Sequence, residues 1–303
     1  MFGIIGVLLL TAHTLGFLSS ISAIMNTRTS QGAIAWAISL NTFPYLAVPA
    51  YWVLGRNRFR GYVASKREIT DSIDEFSDQV VDEFRDFELP AEASTPGVRA
   101  AQALIELPIL GGNDVELLVD GEATFDSLFA GIASAQKYVL VQFYIVKDDG
   151  LGGRLRDALV KKARENIPTY LLYDEIGSAK LSARYLSALT EAGVKVSAFN
   201  TRRGPSNRFQ INFRNHRKNV VVDGLAAWIG GHNVGDEYLG LGPLGPWRDT
   251  HMKVVGPAAL EAQLSFVQDW HWATDELIAL DWSPTAAPGG SANVLIAPSG
   301  PAD

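Results

Sequence analysis

His216-Arg-Lys-Asn-Val-Val-Val-Asp-Gly-Leu-Ala-Ala-Trp-Ile-Gly-Gly-His-Asn233 is the stretch whose reading decides the fold of this chain. His216 and Lys218 are two apart, so an extended strand would point both the same way, and Val220 to Val222 would carry that strand into a core. Asp223-Gly224 predicts a turn, and Ala226 to Ile229 the returning strand of a hairpin. Gly230-Gly231 lets the backbone come close to a bound group, and the Asn233 amide can donate to a phosphate oxygen. The whole reads as a phosphate-handling site. An imidazole is nucleophilic at neutral pH and can leave again, so His216 can take a phosphoryl or phosphatidyl group and pass it on. Lys218 would hold the negative oxygens as charge builds.

The order His-x-Lys-x4-Asp, followed by a glycine pair and Asn, is here His216, Lys218, Asp223, Gly230, Gly231 and Asn233. It resembles the signature of the phospholipase D superfamily. The resemblance implies a catalytic motif of His216, Lys218 and Asp223, with Asp223 acting structurally within it. It also implies a carboxylate that orients the second nitrogen of the nucleophile, for which Asp249 in Trp247-Arg248-Asp249-Thr250-His251 is the candidate, a plain turn residue being the alternative. Gly231, Asn233 and Asp249 thus form the expected phosphate-binding or orienting set. Tyr144 to Asp149, Tyr173 to Ser178, and Gly235 to Leu239 with Trp247 to His251 resemble the first catalytic half of bacterial cardiolipin synthases.

Outside the motif, 303 residues leave room for two domains, and 47% hydrophobic residues with a mean hydropathy of +0.07 suggest that part of the chain lies in a membrane. The absence of cysteine excludes a disulfide framework and any thiolate metal site. The five histidines show none of the close helical spacings of zinc sites, so no metal or other cofactor is expected. The net charge of -7 is unevenly spread: residues 68–92 hold ten acidic groups and one Arg. Arg202 to Lys218, by contrast, holds six Lys or Arg and no acid, which suits an anionic phosphate substrate, with a solvated basic loop as the bland alternative.

Residues 2–25 carry no Asp, Glu, Lys or Arg and are long enough to cross ~30 Å of hydrocarbon as a helix. They lack the positively charged start of a signal peptide. A second uncharged run, Thr29 to Gly55, has aromatics toward its edges and is expected to span again, kinked by Pro44 and Pro49. Five Lys or Arg lie between Arg56 and Arg67, against Arg28 alone between the runs, which predicts two spans with both ends cytoplasmic, and the resemblance to bacterial cardiolipin synthases implies a multi-pass protein of the bacterial inner membrane. Ile69 to Phe87 has the three-and-four spacing of an amphipathic helix, and Ala91 to Gly97 reads as a flexible join. From Glu116 onward strands and helices alternate. The expected fold is α/β: a phospholipase D-like layered domain, its mixed sheet flanked by helices, behind two transmembrane helices. The expected divisions are 1–56 for the spans, 57–107 for the linker, 108–288 for the catalytic half-domain and 289–303 for the opening strand of a second half.

By resemblance, the chain is a membrane-bound phosphatidyltransferase that makes cardiolipin and glycerol from two phosphatidylglycerols through a phosphohistidine. Its partners would be phosphatidylglycerol, cardiolipin and the membrane, and not nucleic acid, because the spans confine the site to the bilayer surface. Cardiolipin synthases carry two such motifs facing each other, whereas this sequence carries one. Full activity is therefore expected to need a second catalytic half or a homodimer. The alternatives are a single-motif phosphodiesterase that acts as a dimer with water as acceptor, and a non-catalytic half-enzyme subunit.

Overall fold

A computed structural model describes residues 2–27, 29–55, 84–90, 95–105, 107–199, 214–242, 245 and 247–299. The basic runs 56–67 and 202–213, nearly all of the expected acidic helix of 69–87, and residues 91–94 of the expected join lie outside the described residues. The chain divides into two compact units, an N-terminal helical one and a larger one built on a sheet.

The helical unit comprises α1 (Phe2–Asn26), α2 (Ser30–Thr42) and α3 (Pro44–Leu54). Among the described residues, Gly3–Asn26 is the one helix long and apolar enough to cross a membrane. The second expected span, Thr29 to Gly55, is divided between α2 and α3. Phe43 has φ -131° and ψ 56°, outside the helical region, because the ring of the following Pro disfavours helical geometry before it. Pro44 then opens α3, where its missing N–H costs nothing, and Pro49 is carried inside that helix. Trp36 on α2 packs edge-on against Tyr51 on α3 at 5.3 Å, so α3 folds back along α2. His13 meets Tyr45 at 3.1 Å while Ser22 meets Tyr51 at 3.0 Å, so α3 runs in the same direction as α1. The run from Thr29 to Gly55 is therefore a helical hairpin of 13- and 11-residue helices. At 1.5 Å per residue these are roughly 20 Å and 16 Å long, each short of the ~30 Å hydrocarbon layer.

Among the described residues, the larger unit includes a short 3-10 turn, Arg85–Phe87, and α4 (Pro96–Ile105), which enters the stretch expected as a flexible join. Pro starts that helix and Thr95 Oγ1 accepts from the Val98 N–H at 3.4 Å. The strands are β1 (Leu110–Val119), β2 (Val139–Phe143), β3 (Thr169–Asp174), β4 (Lys195–Phe199), β5 (Asn219–Val222), β6 (Ala226–Gly230), β7 (Thr250–Val255) and β8 (Ala292–Val294). They form one sheet in the order β4-β3-β2-β5-β6-β7-β1-β8. The β2–β3 and β3–β4 pairs are parallel and the others antiparallel, which gives the expected mixed sheet. Helices α5 (Asp120–Ser134), α6 (Gly150–Arg164), α7 (Ala183–Glu191) and α8 (Ala259–Thr274) flank it. β7 went unforeseen, and residues expected to open a second half supply β8 at the sheet edge, where Ala292 pairs with Asn113 and Val294 with Leu110.

Alternation along β2 shows how the layers are made. Val139, Val141 and Phe143 enter a cluster with Phe125, Leu128 and Ile132 of α5, Leu155 and Leu159 of α6, and Leu189 of α7. Gln142, of the opposite parity, reaches Asp269 on α8. All five β2 residues are consequently buried, as befits a strand covered on both faces. Gln142 pairs with Asn219 in antiparallel register, so the start of β5 lies beside the C-terminal end of β2. The loop that carries His216 is thereby delivered to the carboxyl ends of the parallel strands, where open α/β sheets bind ligands.

Candidate active site

β5 begins only at Asn219, and residues 214–218 are not part of the ladder. His216 and Lys218 therefore meet for a different reason from the strand alternation expected of them. The Lys218 side chain turns back, so that Nζ lies 3.0 Å from His216 Nδ1 and donates to the His216 carbonyl at 2.6 Å. Lys218 is 3% exposed, whereas His216 is open to solvent. Tyr144, just beyond β2, lines the same spot: its ring lies 4.7 Å from the His216 ring and 5.3 Å from Lys218 Nζ. Partial burial and then the Lys218 charge hold the His216 pKa below the usual 6.5, against an opposing pull from Asp174. Burial lowers Lys218 to about 8 despite the attraction of Asp249. At neutral pH a neutral imidazole thus stands beside an ammonium.

Asp223 does not join them. It occupies the far end of β5, in a tight turn with φ 56°, followed by Gly224 at φ 71°. Its carboxylate accepts from the backbone N–H groups of Gln136, Lys137 and Tyr138 at 2.8, 2.7 and 2.8 Å. These charge-assisted bonds pin the hairpin to the loop after α5. Asp223→Ala leaves three amides without their acceptor and puts a poorer residue at positive φ, so a loss of about 3 kcal/mol is expected. Asp223→Asn, which tolerates that conformation and keeps one acceptor oxygen, should lose less. Thermal unfolding of the two variants checks the order.

Asn233 does not present its amide as expected. It is 7% exposed, with Oδ1 accepting from the Ile145 N–H at 3.0 Å and Nδ2 donating to the Tyr238 hydroxyl at 3.1 Å. It ties the strand after the motif to the loop after β2. Gly231 is small for a definite reason: a Cβ there would collide with the Asp249 carboxylate. Asp249 accepts from the Thr250 N–H at 2.7 Å, and its charge reaches Lys218 and His232. Among the described residues it makes no hydrogen bond to His216, so its place is beside the lysine rather than behind the imidazole.

Two further histidines sit nearby and are sealed from solvent. His232 Nδ1 lies 3.1 Å from His251 Nδ1, which also accepts from the His232 backbone N–H at 3.3 Å. Burial, His232 and Lys218 push His251 down to about 3, so it stays neutral across the physiological range. Sequence reasoning assigned no role to Tyr144, Asp174, Asn215 or Asp269, which surround the motif loop. Asp174 ends β3, where its Oδ2 accepts from the Asn215 N–H at 3.0 Å.

An exposed His and a buried Lys at the carboxyl ends of a mixed, helix-flanked sheet define a phospholipase D-like domain. Residues 128–241 match the family described as "Cardiolipin synthase, PLD-like domain". The chain is 48% identical over 308 residues to cardiolipin synthase A of Pseudomonas fluorescens, covering 99% of this chain and 63% of that protein. It is 44% identical over 305 residues to cardiolipin synthase A of Pseudomonas aeruginosa, covering 99% and 62%. Among solved structures it is similar to phosphatidylserine synthase of Haemophilus influenzae at 18% identity and a TM-score of 0.44, over 63% of this chain and 44% of that one. Residues 128–241 thus carry a cardiolipin synthase, PLD-like domain, and nearly the whole chain is similar to cardiolipin synthase A proteins. It spans about 63% of the length of the first of these relatives.

Proposed function

We propose that this chain carries the nucleophilic half of a phosphatidyltransferase of the cardiolipin synthase type. The observation that carries the proposal is the exposed His216 imidazole with Lys218 Nζ 3.0 Å away. In the proposed reaction an imidazole nitrogen attacks the phosphorus of phosphatidylglycerol. A P–N bond forms, the P–O bond to the headgroup breaks, and its electron pair leaves on the glycerol oxygen, which takes a proton. The headgroup hydroxyl of a second phosphatidylglycerol then attacks the phosphatidyl-histidine, loses its proton and frees the imidazole as cardiolipin forms. Lys218 Nζ donates one of its three N–H groups to the His216 carbonyl and lies beside Nδ1, so a phosphate on the imidazole would come within reach of its remaining N–H groups. The proton for the leaving glycerol would come from a second motif on a partner half or a second copy.

α1 would cross the bilayer and the α2–α3 hairpin would re-enter from the side on which α1 ends. The five Lys or Arg between Arg56 and Arg67 would place that side in the bacterial cytoplasm.

The test is incubation of the protein in vesicles with labelled phosphatidylglycerol across a pH series. Cardiolipin and free glycerol are expected; phosphatidic acid alone would replace transfer by hydrolysis. Protonated His216 cannot attack, and neutral Lys218 cannot hold the phosphate, so kcat/KM should be bell-shaped. Its acid limb should lie below 6.5 and its alkaline limb near 8. Lys218→Arg should carry the alkaline limb out of the accessible range, because a guanidinium keeps its charge there.

A further inference from the structure

His216 lies in a segment that the sheet does not hold, since the β5 ladder starts three residues later. A nucleophile on an unpaired loop needs its backbone fixed by other means. Those means converge on one side chain of α8. Asp269 is fully buried, and its Oδ2 accepts from Asn215 Nδ2 at 2.8 Å and from Gln142 Nε2 at 2.6 Å. Arg217 Nη1 donates to both carboxylate oxygens at 2.7 Å. Asn215 in turn accepts the Arg217 N–H on its Oδ1 at 3.1 Å and gives its own N–H to Asp174. The residues immediately before and after His216 are therefore clasped by the same carboxylate, while Gln142 anchors that carboxylate to β2. Burying a carboxylate is expensive unless it is paired and hydrogen-bonded, and Asn215, Arg217 and Gln142, which lie in the motif loop or on the strand beside it, supply such bonds here.

We propose that Asp269 is a positioning residue for His216, setting the backbone on both sides of the imidazole so that the ring meets Lys218 and Tyr144. This rests on the reading of His216 as nucleophile. Asp269 touches neither substrate nor the reacting atoms. Its loss acts by displacing the ring, and displacements near 1 Å cost about 10²-fold in rate.

The test uses the full chain in detergent or vesicles, with Asp269→Asn, which keeps the shape but turns an amide toward the donors of Gln142, Asn215 and Arg217. Phosphatidyl transfer should fall about 10²-fold in kcat with KM changed by less than about threefold. In parallel, the His216 imidazole, followed by NMR, should titrate closer to 6.5 than in the parent, as the ring leaves the Lys218 and Tyr144 pocket. A folded Asp269→Asn protein with unchanged kcat and unchanged His216 titration overturns the proposal. Should that variant not fold, Asn215→Ala and Arg217→Met decide in the same way, since each removes one arm of the clasp. A parent protein with no transfer activity even after addition of a polypeptide bearing a second His-x-Lys-x4-Asp would sink the catalytic reading alone, because the His216 titration still reports whether Asp269 holds the ring.

Discussion

His216→Ala is expected to abolish phosphatidyl transfer while leaving the fold intact. The side chain is exposed and belongs to no core cluster, so its removal should change stability by no more than about 0.5 kcal/mol, as for ordinary surface positions. Its chemistry has no substitute nearby. His232 and His251 are buried 0% and 1% exposed, and each leaves its Nε2 without a hydrogen-bond partner in the interior, closed to a lipid phosphate. Loss of a covalent nucleophile costs on the order of 10⁶ in kcat where it has been isolated, so turnover should vanish into the background. Lys218→Ala should cost less, about 10² to 10³, as for one donor to a developing oxyanion. Steady-state turnover with folding followed by circular dichroism separates the two.

Activity is also expected to depend on a second motif. A glycerol alkoxide leaving without a proton is slow, and general acid catalysis supplies about 10² to 10⁴-fold. The two buried histidines beside the motif do not supply that acid, because burial lowers both, His251 to about 3, and leaves them neutral at neutral pH. Turnover per molecule should therefore fall as the protein is diluted through a monomer–dimer equilibrium. Addition of a polypeptide bearing another His-x-Lys-x4-Asp should restore about 10² to 10⁴-fold. Constant turnover per molecule at dilutions where sedimentation shows only monomer would mean that one motif suffices.

What the sequence disclosed and what it hid follow from the range of the interactions involved. The hairpin was legible because Asp223-Gly224 needs positive φ at both positions and the flanking valines and alanines pair locally. The layered domain was legible from the pace of strand and helix, but β7 was not: Thr250–Val255 mixes His, Met and Lys with Val and lacks the apolar run that marked β2. The reversal at Phe43 was foreseen only as a kink, since a proline announces a break without saying which way the chain then turns. Asn233 was misread because a side-chain amide can face a ligand or its own fold, and only the positions of Ile145 and Tyr238 decide between them. Asp269 lies more than fifty residues from the loop it holds, at no spacing that a motif could encode.

The central claim is that His216 takes the phosphatidyl group covalently, and the most direct measurement is to quench the protein with phosphatidylglycerol labelled in its phosphate and map the label by mass spectrometry. An acid-labile phosphoramidate on His216, absent from His216→Ala, is the expected result. Label on another residue, or equal labelling of the parent and the His216→Ala protein, would contradict the account.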